Sequence, residues 1–352
     1  MLNPQTGQQS KTHLSDTSES GDPRTPLEQA AHQLAAQHQE AALAQFPPYL
    51  LQRLSPQKDL LQAVHQYFVH ASQEELAYST AAEWILDNYY VVQQALRQVK
   101  NDMPASYYEQ LPKLAGEGEY HGLPRIYALA RFYTMLEHCY TDMERVKRFA
   151  HAYQEVTPLT MGEVWALPIM LRFCLLECLV QSAGRATRQF DDTAVLEPAL
   201  TFPLETSGNE AIANCILSLR LLDSYDWQTF FEDVSLVEQI LRQDPARIYG
   251  RMTFDTRDHY RKVVENLALA TGQLETEVAQ TAVNLVAHPP LSAADGWEGL
   301  QQPANAHVGY YLLGPARETL EQEIGYRPDW LHRWGRRHVL ATYLGGTALL
   351  TL

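Results

Sequence analysis

From Leu27 onward the apolar residues return mostly every three or four positions, and strand-like alternation is nearly absent. A period of about 3.6 residues places such positions on one helical face, so the spacing predicts an all-α architecture of packed multi-helix domains. The polar gaps between these segments are short, as helix connections in compact domains are. With 45% hydrophobic residues in 352, the chain has material for a core. Residues 1–26 are mostly Ser, Thr, Gln, Gly and Pro; they predict a disordered polar tail without the apolar stretch of a signal peptide.

Local signals divide the remainder. Ala81 to Lys100 sets Trp84, Leu86, Val91, Val92, Leu96 and Val99 around a broad apolar face, predicting a long helix that ends before Pro104. Thr160-Met-Gly-Glu163 and Ser207-Gly-Asn-Glu210 have the form of capping boxes, in which a hydroxyl and a glutamate satisfy the first free amides reciprocally. Asp244-Pro245 resembles an N-cap followed by proline at the first helical position, and further helices are expected after Pro124 and Asp255. Trp165 to Val180 is nearly all apolar, but Arg172 and Glu177 interrupt it and Pro168 is expected to kink it, so it reads as a buried core helix.

A polar stretch at 183–203 suggests a boundary, giving helical subdomains at 27–190 and 191–335. At the end, Arg333, Arg336, Arg337 and His338 precede an uncharged run, Val339 to Leu352. A basic flank before an apolar run predicts the cytoplasmic edge and start of a transmembrane helix over 336–352, cut short of the roughly 20 residues a span requires. A buried C-terminal helix is the alternative.

Charge and cysteines exclude several functions. With 27 Lys and Arg against 42 Asp and Glu the formal charge is −15, which repels phosphate backbones and makes nucleic acid an unexpected partner. No basic patch is visible before residue 333. Cys139, Cys174, Cys178 and Cys215 lie thinly spread in apolar segments, the pattern of a reduced cytosolic protein with four small buried hydrophobes. Cys174 and Cys178 would share a helical face, yet no second pair completes a zinc site, so no metal and no cofactor is expected.

The catalytic motifs fare no better. There is no Gly-x-Ser-x-Gly elbow, and Gly116, Gly118 and Gly122 follow no predicted strand, so they read as a turn. Glu163, Glu238, Asp255 and Asp258 could supply a glycosidase carboxylate pair, but caps and arginine partners explain them better. Trp84, Trp165 and Trp227 could stack on sugar rings, although aromatics at helical spacing more often belong to the core.

Arginine is the densest pattern. Arg125, Arg172, Arg220, Arg247, Arg251, Arg257 and Arg261 sit in or beside apolar helical stretches, and buried arginine requires acids such as Glu163, Glu177, Asp223, Glu238, Asp255 and Asp258. The candidate polar cluster is Arg125, Glu163, Trp165, Arg172, Glu238, Asp255, Arg257, Asp258 and Arg261, whose role is to fix helix crossings or, as the sharper alternative, to line a ligand pocket.

The same segments carry a resemblance. Ala82-Glu-Trp-Ile-Leu-Asp-Asn-Tyr-Tyr90, Tyr107-Tyr-Glu-Gln-Leu-Pro-Lys-Leu114, Gly122-Leu-Pro-Arg-Ile-Tyr-Ala-Leu-Ala130 and Ala152-Tyr-Gln-Glu-Val-Thr-Pro-Leu-Thr160 are similar to the N-terminal region of cyclic β-1,2-glucan synthases. So are Gly162-Glu-Val-Trp-Ala-Leu-Pro-Ile-Met-Leu-Arg172, Ser218-Leu-Arg220 with Asp226-Trp227, the block from Val234 to Arg261, and His307-Val-Gly-Tyr-Tyr-Leu312. The resemblance spans roughly residues 75–335 in order.

It implies a large bacterial inner-membrane glycosyltransferase that polymerises glucose from UDP-glucose, with a divalent metal, and closes the β-1,2-glucan into rings. No Asp-x-Asp and no Gln-x-x-Arg-Trp occurs here, so no catalytic residue carries over. The expectation is a noncatalytic module on the cytoplasmic face of that membrane. Its partners would be the rest of the synthase polypeptide, the membrane through the C-terminal segment, and β-1,2-glucan itself. A free-standing helical saccharide-binding protein or carbohydrate-active enzyme is the alternative.

Overall fold

The computed structural model describes residues 24–38, 41–42, 50–71, 80–115, 118–187, 208–289 and 307–327. These form fourteen α-helices and one two-residue antiparallel ladder, Ala41–Ala42 with Lys113–Leu114, so the fold is all-α. The expected boundary at 190/191, the Ser207 cap and the C-terminal segment 336–352 lie outside the described residues. Among the described residues no helix is long and apolar enough to cross a membrane.

Helix α1 (Pro26–Gln37) starts where Thr25 accepts from the Glu28 amide and Glu28 returns the bond to the Thr25 amide, with proline at the first position. After a 3-10 turn, Leu50–Arg53, come α2 (Leu54–His70), α3 (Thr80–Asp102) and α4 (Ala105–Gln110). A turn closes with Gly122 in the left-handed region at φ 72°, which glycine adopts without a Cβ penalty. Then follow α5 (Arg125–Leu136), α6 (Met143–Gln154) and α7 (Met161–Thr187).

Helix α7 organises the molecule. Every residue from Ala166 to Gly184 is buried, so this helix has neighbours on all sides. It packs against α2, α3 and α5, and against two later helices, α8 (Gly208–Ser224) and α9 (Trp227–Val234). Each leucine or phenylalanine so enclosed contributes about 1.5–3 kcal/mol relative to exposure. The helix passes Pro168 without interruption.

The remaining helices are α10 (Leu236–Leu241), α11 (Phe254–Thr271), α12 (Glu275–Ala287), α13 (Val308–Leu312) and α14 (Arg317–Glu323). Helix α12 meets α10, α11, α13 and α14, while α1 lies along α6. One cluster of buried apolar residues runs from Leu27 to Ile324.

Two sequence expectations fail locally. Asp244-Pro245 opens a turn rather than a helix: Asp244 accepts from the Ile248 and Tyr249 amides at 3.1 and 3.3 Å, and Arg247 turns left-handed at φ 54°. The other Asp244 oxygen accepts from the Val308 amide at 3.1 Å, so the residue is a staple between distant segments and not a cap. The helix expected after Asp255 begins two residues earlier, at Phe254, because Thr253 is the N-cap.

Candidate functional site

The first predicted pair forms as its residue types require. Thr160 and Glu163 make the capping box at the start of α7, and Arg125 at the start of α5 donates from Nε to Glu163 Oε1 at 2.8 Å and from Nη2 to Oε2. Glu163 is fully buried, and these donors replace the water it has lost. The result clamps two helix N-termini together.

The second group converges on Glu238, also fully buried. It receives Arg242 Nε at 2.8 Å, Arg261 Nη1 at 2.7 Å and the Tyr249 hydroxyl at 2.7 Å, with Arg257 Nη1 at 3.3 Å. Burial works to raise its carboxyl, but donation from Tyr249, Arg242 and Arg261 outweighs it and holds the group below its ordinary value. Arg257 also pairs with Glu232, and Arg261 with Asp258 at 3.3 Å.

Other expectations are corrected. Asp255 stands exposed in the first turn of α11, away from the cluster, because Thr253 takes the capping role. Arg220, Arg247 and Arg251 are exposed rather than buried. Glu177 does form a buried hub, but its partners are the Tyr127 hydroxyl at 2.8 Å, Arg131 Nη1 at 3.4 Å and Arg53 Nη1 at 3.6 Å. Burial pushes its carboxyl up against the pull of Arg131, Tyr127 and Arg53. Neither arginine stood out in the sequence, since contacts over 46 and 124 positions leave no local pattern.

Arg172 departs furthest from expectation. It is 5% exposed and forms no ion pair among the described residues; Nη1 donates to the Pro168 carbonyl at 3.3 Å and Nη2 to that of Leu222 at 2.7 Å. Its Nε, closed to solvent, has no hydrogen-bond partner among the described residues. The guanidinium carbon lies 5.5 Å from the Trp227 ring, a cation–π distance. Burial lowers its affinity for the proton, against the charges of Asp102 and Asp223.

These residues border a cleft of about 570 Å³. Two helical stripes wall it: Trp165, Ile169 and Arg172 from α7, and Asp258, Arg261, Lys262 and Glu265 from α11. Both follow the i, i+3, i+4, i+7 spacing of one helix face. Gln98 and Asp102 of α3, Tyr107 of α4, Asp223 of α8, and Trp227 and Phe231 of α9 also line it. Of the predicted cluster, Trp165, Arg172, Asp258 and Arg261 meet here, whereas Arg125, Glu163, Glu238 and Arg257 lie in the supporting pairs.

The cleft aromatics are held in place. Trp165 stacks on Phe231 at 4.6 Å and 16°, and Trp227 donates Nε1–H to the Leu222 carbonyl at 3.0 Å between the edges of Tyr225 and Phe230. Both indoles stay half-buried, so each keeps surface toward the cleft. Asp223 Oδ1 accepts from Gln94 and Gln98 at 2.6 and 2.7 Å. Glu265 has no hydrogen-bond partner among the described residues, and burial together with Asp258 pushes its carboxyl up.

A second cavity of about 570 Å³ lies between α2 and α3, and Lys58, Arg97 and Lys100 line it without an acid. The three cations come from two helices and gather only in the fold.

The cysteines also differ from four separate thiols. His138 and Cys139 are both left-handed, at φ 50° and 61°, which returns the chain toward α7, and Cys139 is disulfide-bonded to Cys178. The Cys215 sulfur lies within 4.8 Å of both. Cys174 and Cys215 are free and buried as expected. A metal at this group would need the disulfide reduced and the Cys215 thiol ionised, and burial pushes that thiol far up.

No family model matches the chain. The cyclic beta-(1,2)-glucan synthase NdvB of Rhizobium meliloti (strain 1021) is 31% identical over 316 residues of alignment, taking in 71% of this chain. The chain is related to that synthase. It spans 11% of the synthase's length. The cyclic glucan synthase region to which it corresponds is therefore a small part of the whole relative.

Proposed function

We propose that the chain is a noncatalytic helical module of a cyclic β-1,2-glucan synthase polypeptide, carried on the cytoplasmic face of a bacterial inner membrane. The observation that carries this reading is the 31% identity over 71% of the chain against 11% of the relative. The ion pairs of Arg125 with Glu163 and of Glu238 with its arginines support it. Glu163 and Glu238, two of the acids that could have served glycosyl chemistry, are spent instead on a helix cap and on guanidinium groups.

On this reading glucan is the polymer near the module, the rest of the synthase is its covalent partner, and the segment after Arg337 begins a membrane helix. The 352-residue chain is expected to transfer no glucose from UDP-glucose with a divalent metal and to cleave no β-1,2-glucan. Turnover above background by the purified chain would overturn the noncatalytic reading. A reporter joined after residue 352, with the span completed by apolar residues, is expected to be active as a periplasmic enzyme; cytoplasmic activity there would reverse the membrane assignment.

A further inference from the structure

We propose that the cleft between α3, α7, α8, α9 and α11 binds a segment of neutral oligosaccharide, its rings laid against Trp165 and Trp227 and its hydroxyls met by Arg172 and Asp223. The inference rests on the module reading, which supplies β-1,2-glucan as the oligosaccharide at hand.

The charge of the lining selects the ligand class. Asp102, Asp223, Asp258 and Glu265 stand against Arg172, Arg261 and Lys262, so a phosphate or nucleotide sugar would meet four carboxylates. The three cations that suit an anion lie in the other cavity, between α2 and α3. A neutral polyol meets no such penalty and uses both signs, accepting from guanidinium N–H groups and donating to carboxylate oxygens.

The polar groups are fixed in advance. Of the five N–H donors of Arg172, two are spent on the Pro168 and Leu222 carbonyls, which lock the guanidinium while each Nη retains a second hydrogen. Among the described residues no carboxylate competes for it within ion-pair distance, which is unusual for an arginine 95% enclosed and leaves its charge to a ligand dipole. The Asp223 Oδ1 contacts with Gln94 and Gln98 orient that carboxylate and leave Oδ2 without a partner among the described residues.

The apolar groups are equally rigid. Phe231 backs Trp165, and the Leu222 carbonyl anchors Trp227, so a sugar face docking on either indole orders no loose side chain. The volume suits a small-molecule ligand, for which about 300–1,000 Å³ is usual. A smaller cavity of about 150 Å³ shares Gln98 and Asp223 with the cleft and continues between α3 and α8 past Tyr90 and Arg220.

The test is a titration of the 352-residue chain with linear β-1,2-glucan oligosaccharides, read by tryptophan fluorescence and calorimetry. Saturable binding is expected, with inorganic phosphate and UDP-glucose failing to compete. Asp102 and Lys262 are exposed at the rim, so Asp102→Trp and Lys262→Trp are expected to obstruct the cleft and weaken binding at least about tenfold without moving the melting temperature. Lys58→Glu, in the other cavity, is expected to leave binding unchanged. The proposal is overturned if no glucan binds at about 10 mM, a concentration above the weakest affinities of interest, if binding survives both rim substitutions, or if phosphate or UDP-glucose displaces the glucan. An inert chain that binds no glucan removes the cleft assignment alone, whereas a chain that turns glucan over removes the noncatalytic reading and leaves the cleft standing.

Discussion

Arg261 Nη1 lies 2.7 Å from Glu238 Oε2, with 1% and 0% of the two side chains exposed, and the guanidinium sits between the Phe231 and Phe254 rings at 4.9 and 4.7 Å. One residue thus joins the buried ion cluster to the aromatic wall of the cleft. Glu238→Gln takes from Arg242, Arg257 and Arg261 the buried carboxylate they share, leaving Glu232 to the first two and Asp258 to the third, and is expected to cost about 3–5 kcal/mol in urea unfolding. Arg257→Ala leaves Glu238 with Arg242, Arg261 and Tyr249, so its cost is expected to be smaller, about 1–3 kcal/mol. Equal losses for the two variants would show that the cluster does not share its charge in this way.

Stability is expected to respond to pH through two groups of opposite sign. Burial and the nearby Glu265 and Glu163 charges raise Glu275 from 4.5 to about 7, against donation by the Met161 amide. The folded state then holds a proton that the unfolded state has released, so this contribution is present below 4.5 and is lost as pH climbs to about 7. Glu275→Gln is expected to gain about 1–3 kcal/mol over the parent at pH 8 and little at pH 4. His38, buried on Tyr153, is lowered from 6.5 to about 4 by burial and Arg125, and its contribution is lost as pH falls through that window. Unfolding curves from pH 4 to 8 check both, and a gain by Glu275→Gln that does not grow with pH would refute the first.

Alkylation counts test the cysteines. The oxidised chain, denatured without reductant, is expected to show two free thiols, Cys174 and Cys215, and four after reduction. Closing 39 positions of chain contributes up to about 4 kcal/mol, so reduction should lower the unfolding free energy measurably. A reducing cytosol keeps such pairs as thiols, so the proposed location predicts four labelled cysteines when cells are quenched directly. Two labelled cysteines in that experiment would argue against it.

Gly309 is expected to resist substitution. A Cβ there would come within 2.6 Å of the Tyr260 hydroxyl and 2.8 Å of its ring, so Gly309→Ala should cost about 1–3 kcal/mol of overpacking. Adding Tyr260→Ala to Gly309→Ala should cancel the clash, giving a double-mutant coupling of opposite sign to the first loss. Strict additivity would rule the contact out.

What the sequence made legible was local. Thr160 and Glu163 cap α7 because three residues of spacing suffice to define the motif, and the long apolar face of α3 ends before Pro104 as its pattern requires. Asp244 misled because the same Asp-Pro pair serves a cap or a turn, and its deciding partner, Val308, is 64 positions away. The cleft was half-visible: Trp165, Arg172, Asp258 and Arg261 were singled out by type and Asp223 as an arginine partner, but Asp102 and Glu265 looked like ordinary surface acids. Only the crossing of α7 and α11 against α3 and α9 gives those acids a common wall.

The enclosure of α7 also sets an order of events during synthesis. Its covering helices are made partly before it (α2, α3, α5) and partly after it (α8, α9), so the run from Ala166 to Gly184 leaves the ribosome before its last neighbours exist. At about 5–20 residues per second, the chain to Ser224 needs a few seconds more. For that interval one of the most apolar stretches of the protein is bare on one flank, which makes the nascent chain, rather than the finished molecule, the natural client for a chaperone.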